Sequence, residues 1–180
     1  MNNLPAATYM ITGNLTRQLI FTALAGAFCL AGCNSNDDER IPNMAVSINL
    51  SDAGQWNRYG VSGFGIPQYF IKALREPAGF PYLDRTMTGF GGVLLINGFD
   101  YRVNEVAPLS YDLSCPVERK QDIRVKVDPD TFEAICPVCG SKYDVTMGSG
   151  APISGLAASD HYSLRQYKCI PTGQGYMIVN

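Results

Sequence analysis

Apolar and polar positions alternate in short runs along most of this chain. Met44–Leu50 alternates with a period of two, with Ala45 out of pattern, and predicts a strand. Ile123–Val127 alternates cleanly, Asp128-Pro129-Asp130 predicts a turn, and Thr131–Ile135 returns as the partner strand. Gly91–Gly98 holds the unbroken apolar run Val93-Leu94-Leu95-Ile96, which predicts a buried strand ending in an Asn97-Gly98 turn. Tyr101–Val106 is then its hairpin partner. Tyr162–Ile170 and Gly175–Val179 predict a closing hairpin. The segment 51–66, with Gly54, Gly60, Gly63 and Gly65, and the glycine- and serine-rich segment 147–160 read as loops. Gln68–Leu74 is too short to divide between strand and helical turns, and no internal repeat is evident. The expectation is an antiparallel all-β domain, a sandwich or barrel, carrying a cysteine-bearing hairpin insert.

Composition narrows the function classes. The chain has 180 residues, 46% of them hydrophobic, and a net charge of −2, which suits one globular domain and provides no basic face for nucleic acid. His161 is the only histidine. With it alone, and with scattered acids, there is no Ser-His-Asp or paired-carboxylate arrangement. No catalytic constellation is expected, and an electron-transfer component is the most that could be asked of the chain.

The first 32 residues are expected to lie outside the fold. Arg17 precedes the apolar run from Leu19 to Phe28, too short to span a membrane and typical of an export signal; either Met1 or Met10 could start it. Leu30-Ala31-Gly32-Cys33 resembles the bacterial lipobox, which implies cleavage before Cys33 and a lipid anchor on it, hence a partner membrane and a place in the cell envelope, on the outer membrane. Residues 33–40 read as a solvated tether too polar to pack. Their acids, Asp37-Asp38-Glu39, resemble the surface-export signal of Bacteroidetes lipoproteins, with a plain polar linker as the alternative. The folded domain is then 41–180.

The candidate chemistry sits between Cys115 and Asp144. One loop reads Cys115-Pro116-Val117-Glu118 and a second Cys136-Pro137-Val138-Cys139-Gly140-Ser141-Lys142-Tyr143-Asp144. Ser154-Gly155-Leu156-Ala157 and Leu164-Arg165-Gln166-Tyr167 follow. This layout resembles the Rieske family, over roughly residues 89–180. The resemblance implies a Rieske-type β fold and a [2Fe–2S] cluster between two loops, with two Cys on one iron and two His on the other. Cys115 and Cys136 fill the cysteine positions. Val117 stands where the first His belongs, and Cys139 where the second belongs. Ser141 and Tyr143 match hydroxyls that hydrogen-bond the cluster sulfurs. The family pattern thus implies a degenerate module, or a one-electron carrier ligated by Cys115, Cys136, Cys139 and a fourth group. Glu118 and His161 are the candidates for that group, and a redox or envelope protein would be the partner. The same layout leaves open a metal-free Cys115–Cys136 disulfide, a Cys115–Cys139 disulfide, or a zinc site. Cys169, at an apolar position of the closing hairpin, reads as core.

Overall fold

A computed structural model describes residues 35–180. The expected export signal and Cys33 lie outside the described residues. The compact unit runs from Asn36 to Asn180 and is built on two antiparallel sheets. The larger contains β1 (Val46–Leu50), β2 (Pro67–Phe70), β3 (Met87–Thr88), β4 (Val93–Asp100), β5 (Glu105–Asp112), β10 (Gln166–Pro171) and β11 (Tyr176–Val179). Their order, β2-β4-β5-β10-β11-β1-β3, forms a nearly closed barrel. The smaller sheet, β6 (Lys126–Val127), β7 (Glu133–Ile135), β8 (Lys142–Asp144) and β9 (Pro152–Ser154), is the cysteine-bearing insert. The all-β class and the antiparallel insert are therefore as expected.

The apolar run of β4 explains how the two sheets are joined. Val93 and Leu95 enter one core with Val46, Ile48, Leu50, Phe70 and Ile178. Leu94 and Ile96 point the other way, into a second core with Leu109, Tyr111, Leu113, Val125, Ala134 and Tyr143. A strand covered on both faces needs apolar side chains at consecutive positions, not alternate ones. The second core also contains Cys115 and Cys136, so the cysteine insert is packed on the outer face of the barrel.

Several local expectations are corrected. Asn97-Gly98 is not a turn: β4 runs through it, pairing Asn97 with Pro108 and Gly98 with Ala107. The chain reverses at 101–104, where Asp100 accepts from the Arg102 amide at 2.9 Å and Asn104 takes a left-handed φ of 56°. Gly98 is required for close approach, because a Cβ there would stand 2.3 Å from the Thr146 carbonyl oxygen. Gly98→Ala should therefore cost roughly 1–3 kcal/mol by overpacking. A urea melt checks this, and an unchanged midpoint would contradict it.

The segment 51–66 contains the helix α1 (Ala53–Tyr59), started by Asp52, whose side chain accepts from the Gln55 amide at 2.9 Å. Gln68–Leu74 divides into β2 and a single 3-10 turn, Lys72–Leu74. The supposed loop 147–160 holds β9 and the short helix α2 (Leu156–Ser159). The tether is not wholly solvated either. The Asp37 amide donates to the His161 carbonyl at 2.7 Å and the Ser163 amide to the Asp37 carbonyl at 2.8 Å. Arg40 lays its guanidinium 3.8 Å over the Tyr162 ring. Backbone pairing and a cation–π contact overcome the polarity of this segment, so the fold begins before Ile41.

Candidate metal centre

Both cysteine loops are the same turn. After Cys115 the chain continues Pro116-Val117-Glu118-Arg119, and the Arg119 amide donates back to the Cys115 carbonyl at 2.8 Å. After Cys136 it continues Pro137-Val138-Cys139-Gly140, and the Gly140 amide donates back to the Cys136 carbonyl at 3.1 Å. Each turn closes on a left-handed residue, Arg119 with φ 56° and Gly140 with φ 70°. Proline suits the second position of such a turn, since its φ is already fixed and no amide is lost there. The absence of an internal repeat is thus corrected on this small scale: one five-residue turn occurs twice. Outside the turns, the Cys115 amide donates to the Ile123 carbonyl at 3.1 Å and the Cys136 amide to the Ser141 carbonyl at 3.0 Å.

The turns bring Cys115, Cys136 and Cys139 together, with all three Sγ atoms within 4.8 Å of one another. Cys115 and Cys136 are buried and Cys139 is half-buried. The group could hold a metal ion. Cys115 Sγ lies 3.6 Å from Cys139 Sγ and 3.5 Å from the Tyr143 hydroxyl. The Cys139 thiol donates to Ser141 Oγ at 3.3 Å. Ser141 Oγ also accepts from the Ala157 amide at 3.2 Å, so the α2 segment is seated directly over the second loop. Both hydroxyls expected to face the sulfurs do so.

All four cysteines of the described domain are free thiols. The Cys115–Cys136 disulfide is not formed. Nor is Cys115–Cys139, whose 3.6 Å separation is far beyond a bonded distance of about 2.05 Å. Cys169 is half-buried against the barrel core, 3.3 Å from Ser110 Oγ. Val117 packs, partly buried, on the second core. Glu118 and His161 are not members of the sulfur group.

Two further residues position the loops. Asp112, fully buried at the end of β5, accepts from the Ser114 amide at 2.7 Å, the Phe90 amide at 2.9 Å, the Gly91 amide at 3.1 Å and the Tyr167 hydroxyl at 2.6 Å. It ties Ser114, the residue before Cys115, to the barrel. A carboxylate in an otherwise buried strand was the available signal for it. Arg40 donates from Nε to the Pro116 carbonyl at 3.4 Å, joining the N-terminal segment to the first loop. No pattern in the sequence marks that contact.

No protein-family model, curated protein or solved structure matches this chain.

The thiols differ in acidity. Burial pushes Cys115 up to about 12, against the opposing hydrogen bonds of Tyr143 and of the Glu118 and Val117 amides. Burial also raises Cys169, to about 11. Cys139 is lowered: its partial burial opposes ionisation, but hydrogen bonds from the Ser141 side chain and amide and from the Cys136 and Cys115 thiols outweigh it. Against an ordinary value of 9.0, the fold keeps the Cys115 and Cys169 protons at a pH where the unfolded chain releases them. Metal-free protein should therefore lose stability as pH rises above 9.0 and through the raised values. Cys139 acts in the opposite sense, but its contribution levels off above 9.0. Urea midpoints at about pH 8 and about pH 10.5 should fall in that order, and a higher midpoint at the alkaline pH would contradict this.

Proposed function

We propose that this protein is an envelope lipoprotein whose Rieske-type frame holds one metal ion on Cys115, Cys136 and Cys139 in place of a [2Fe–2S] cluster. The observation that carries the reading is the confinement of three sulfurs within 4.8 Å. Metal–thiolate bonds of about 2.3 Å in a tetrahedron separate two sulfurs by about 3.8 Å. The Cys115–Cys139 spacing of 3.6 Å is close to that. A [2Fe–2S] cluster divides its ligands between two irons, which spreads them apart, and its His positions are here Val117 and Cys139. The donor set therefore suits one ion and not the cluster.

In this reading the chain's residues do three things. The cysteines bind the ion, releasing their protons as they do so. The Tyr143 and Ser141 hydroxyls and the Val117, Glu118 and Ser141 amides compensate the negative charge on the sulfurs. The second core supplies an apolar wall through Leu113, Val125 and Ala134. The degenerate-module reading is kept, with an ion as its occupant. The lipid anchor on Cys33 and the envelope location rest on the lipobox likeness.

Elemental analysis of protein purified anaerobically tests the reading. One metal per chain without acid-labile sulfide is expected; two irons with sulfide, or no metal from a metal-replete host, would overturn it.

A further inference from the structure

The repeated turn identifies a fourth ligand. Superposing the loops by their shared pattern sets Cys115 on Cys136, Pro116 on Pro137, Val117 on Val138, Glu118 on Cys139 and Arg119 on Gly140. The correspondence is structural as well as sequential, since both turns are closed by the same amide-to-cysteine bond and the same left-handed residue. In the second turn the fourth residue delivers a sulfur to the centre, and the third, Val138, is 60% exposed. In the first turn, the residue related to the ligand is therefore Glu118, and Val117, which packs partly buried on the second core, is related to the exposed Val138.

The side chain at this position is a suitable donor. Glu118 is half-buried, and its amide hydrogen-bonds the Cys115 sulfur. Among the described residues its carboxylate has no hydrogen-bond or ion-pair partner. A carboxylate whose own backbone amide meets the Cys115 sulfur, and which no other described residue holds by a hydrogen bond or ion pair, can turn about its side-chain bonds without breaking one. A carboxylate oxygen is an ordinary ligand for zinc-like ions, at about 2.0–2.2 Å.

We propose that Glu118 is the fourth ligand of a centre of three thiolates and one carboxylate that takes a tetrahedral divalent ion, with Cys115/Glu118 and Cys136/Cys139 as its two paired halves. This inference rests on the single-ion reading above, and the experiment separates the two.

Reduced, anaerobic full chain is titrated with Co(II), whose visible bands report coordination geometry and whose near-ultraviolet bands report thiolate ligation. Wild type should bind one Co(II) with tetrahedral bands. Glu118→Ala should weaken binding by about a hundredfold, taking a four-ligand site as the sum of comparable parts. Glu118→Cys should bind more tightly than wild type and add thiolate charge-transfer intensity. Glu105→Ala, which removes an exposed carboxylate at the other end of β5 from Asp112, should leave both readouts unchanged. Metal-free circular dichroism and thermal melts establish that each variant folds, and Glu118→Gln, which keeps the side-chain size, is the second variant if alanine does not. Equal Co(II) affinity and identical bands for wild type and a folded Glu118 variant would overturn the assignment while leaving the single-ion reading standing. No Co(II) binding by wild type would overturn both.

Discussion

Cys136→Ala should lower metal affinity by about a hundredfold and remove one thiolate from the spectrum of the bound ion. The estimate follows from structural zinc sites, whose binding of roughly 10–16 kcal/mol is spread over four ligands, so that one ligand contributes on the order of 3 kcal/mol. Cys136 is the useful member of the three because it is 1% exposed and lies in the second core beside Val125 and Ala134. Alanine fits there and leaves only a small cavity, with a stability loss of about 1 kcal/mol in the metal-free state. The two effects are measured separately, by metal competition and by urea unfolding of the metal-free protein. An undiminished affinity in the folded variant would remove Cys136 from the ligand set.

Asp112→Ala should have the largest effect on stability. Asp112 is 0% exposed, and its oxygens accept from three backbone amides and the Tyr167 hydroxyl. Alanine leaves these donors buried and without their acceptor, at about 1–3 kcal/mol for each that water cannot reach. A total on the order of 3–5 kcal/mol is expected, a large share of the roughly 5–15 kcal/mol that holds a typical domain together. Because the Ser114 amide is among the donors, the first cysteine loop should also loosen. Hydrogen exchange at Ser114, Cys115 and Gly91 should then rise more than exchange in β1 or β11. A loss below about 1 kcal/mol in urea unfolding would show that solvent replaces the carboxylate freely.

How much of this was legible in the sequence depended on whether the signal was local. The run Val93–Ile96, short and bounded by Gly91-Gly92 and Asn97-Gly98, reads as a strand covered on both faces, and its consecutive apolar side chains do enter the two cores in turn. The gathering of Cys115, Cys136 and Cys139, with Ser141 and Tyr143 facing their sulfurs, was implied by the resemblance of the two loops to the Rieske pattern. Asn97-Gly98 was misread because a glycine that permits a turn and a glycine that permits a close approach are identical in sequence. The carbonyl that demands Gly98 belongs to Thr146, far along the chain. The packing of Arg40 on Tyr162 and Pro116 is equally non-local. The first loop shows a different kind of miss. Cys-Pro-Val occurs twice in plain view, but compared with a Cys-x-His pattern it directs attention to Val117. The shared hydrogen bond of the two turns moves that attention one residue on, to Glu118.

X-ray absorption at the edge of the bound metal tests the central claim most directly. A single ion predicts sulfur neighbours at about 2.3 Å and no second metal in the next shell. A metal–metal distance together with bridging sulfide would contradict it and return the site to a cluster.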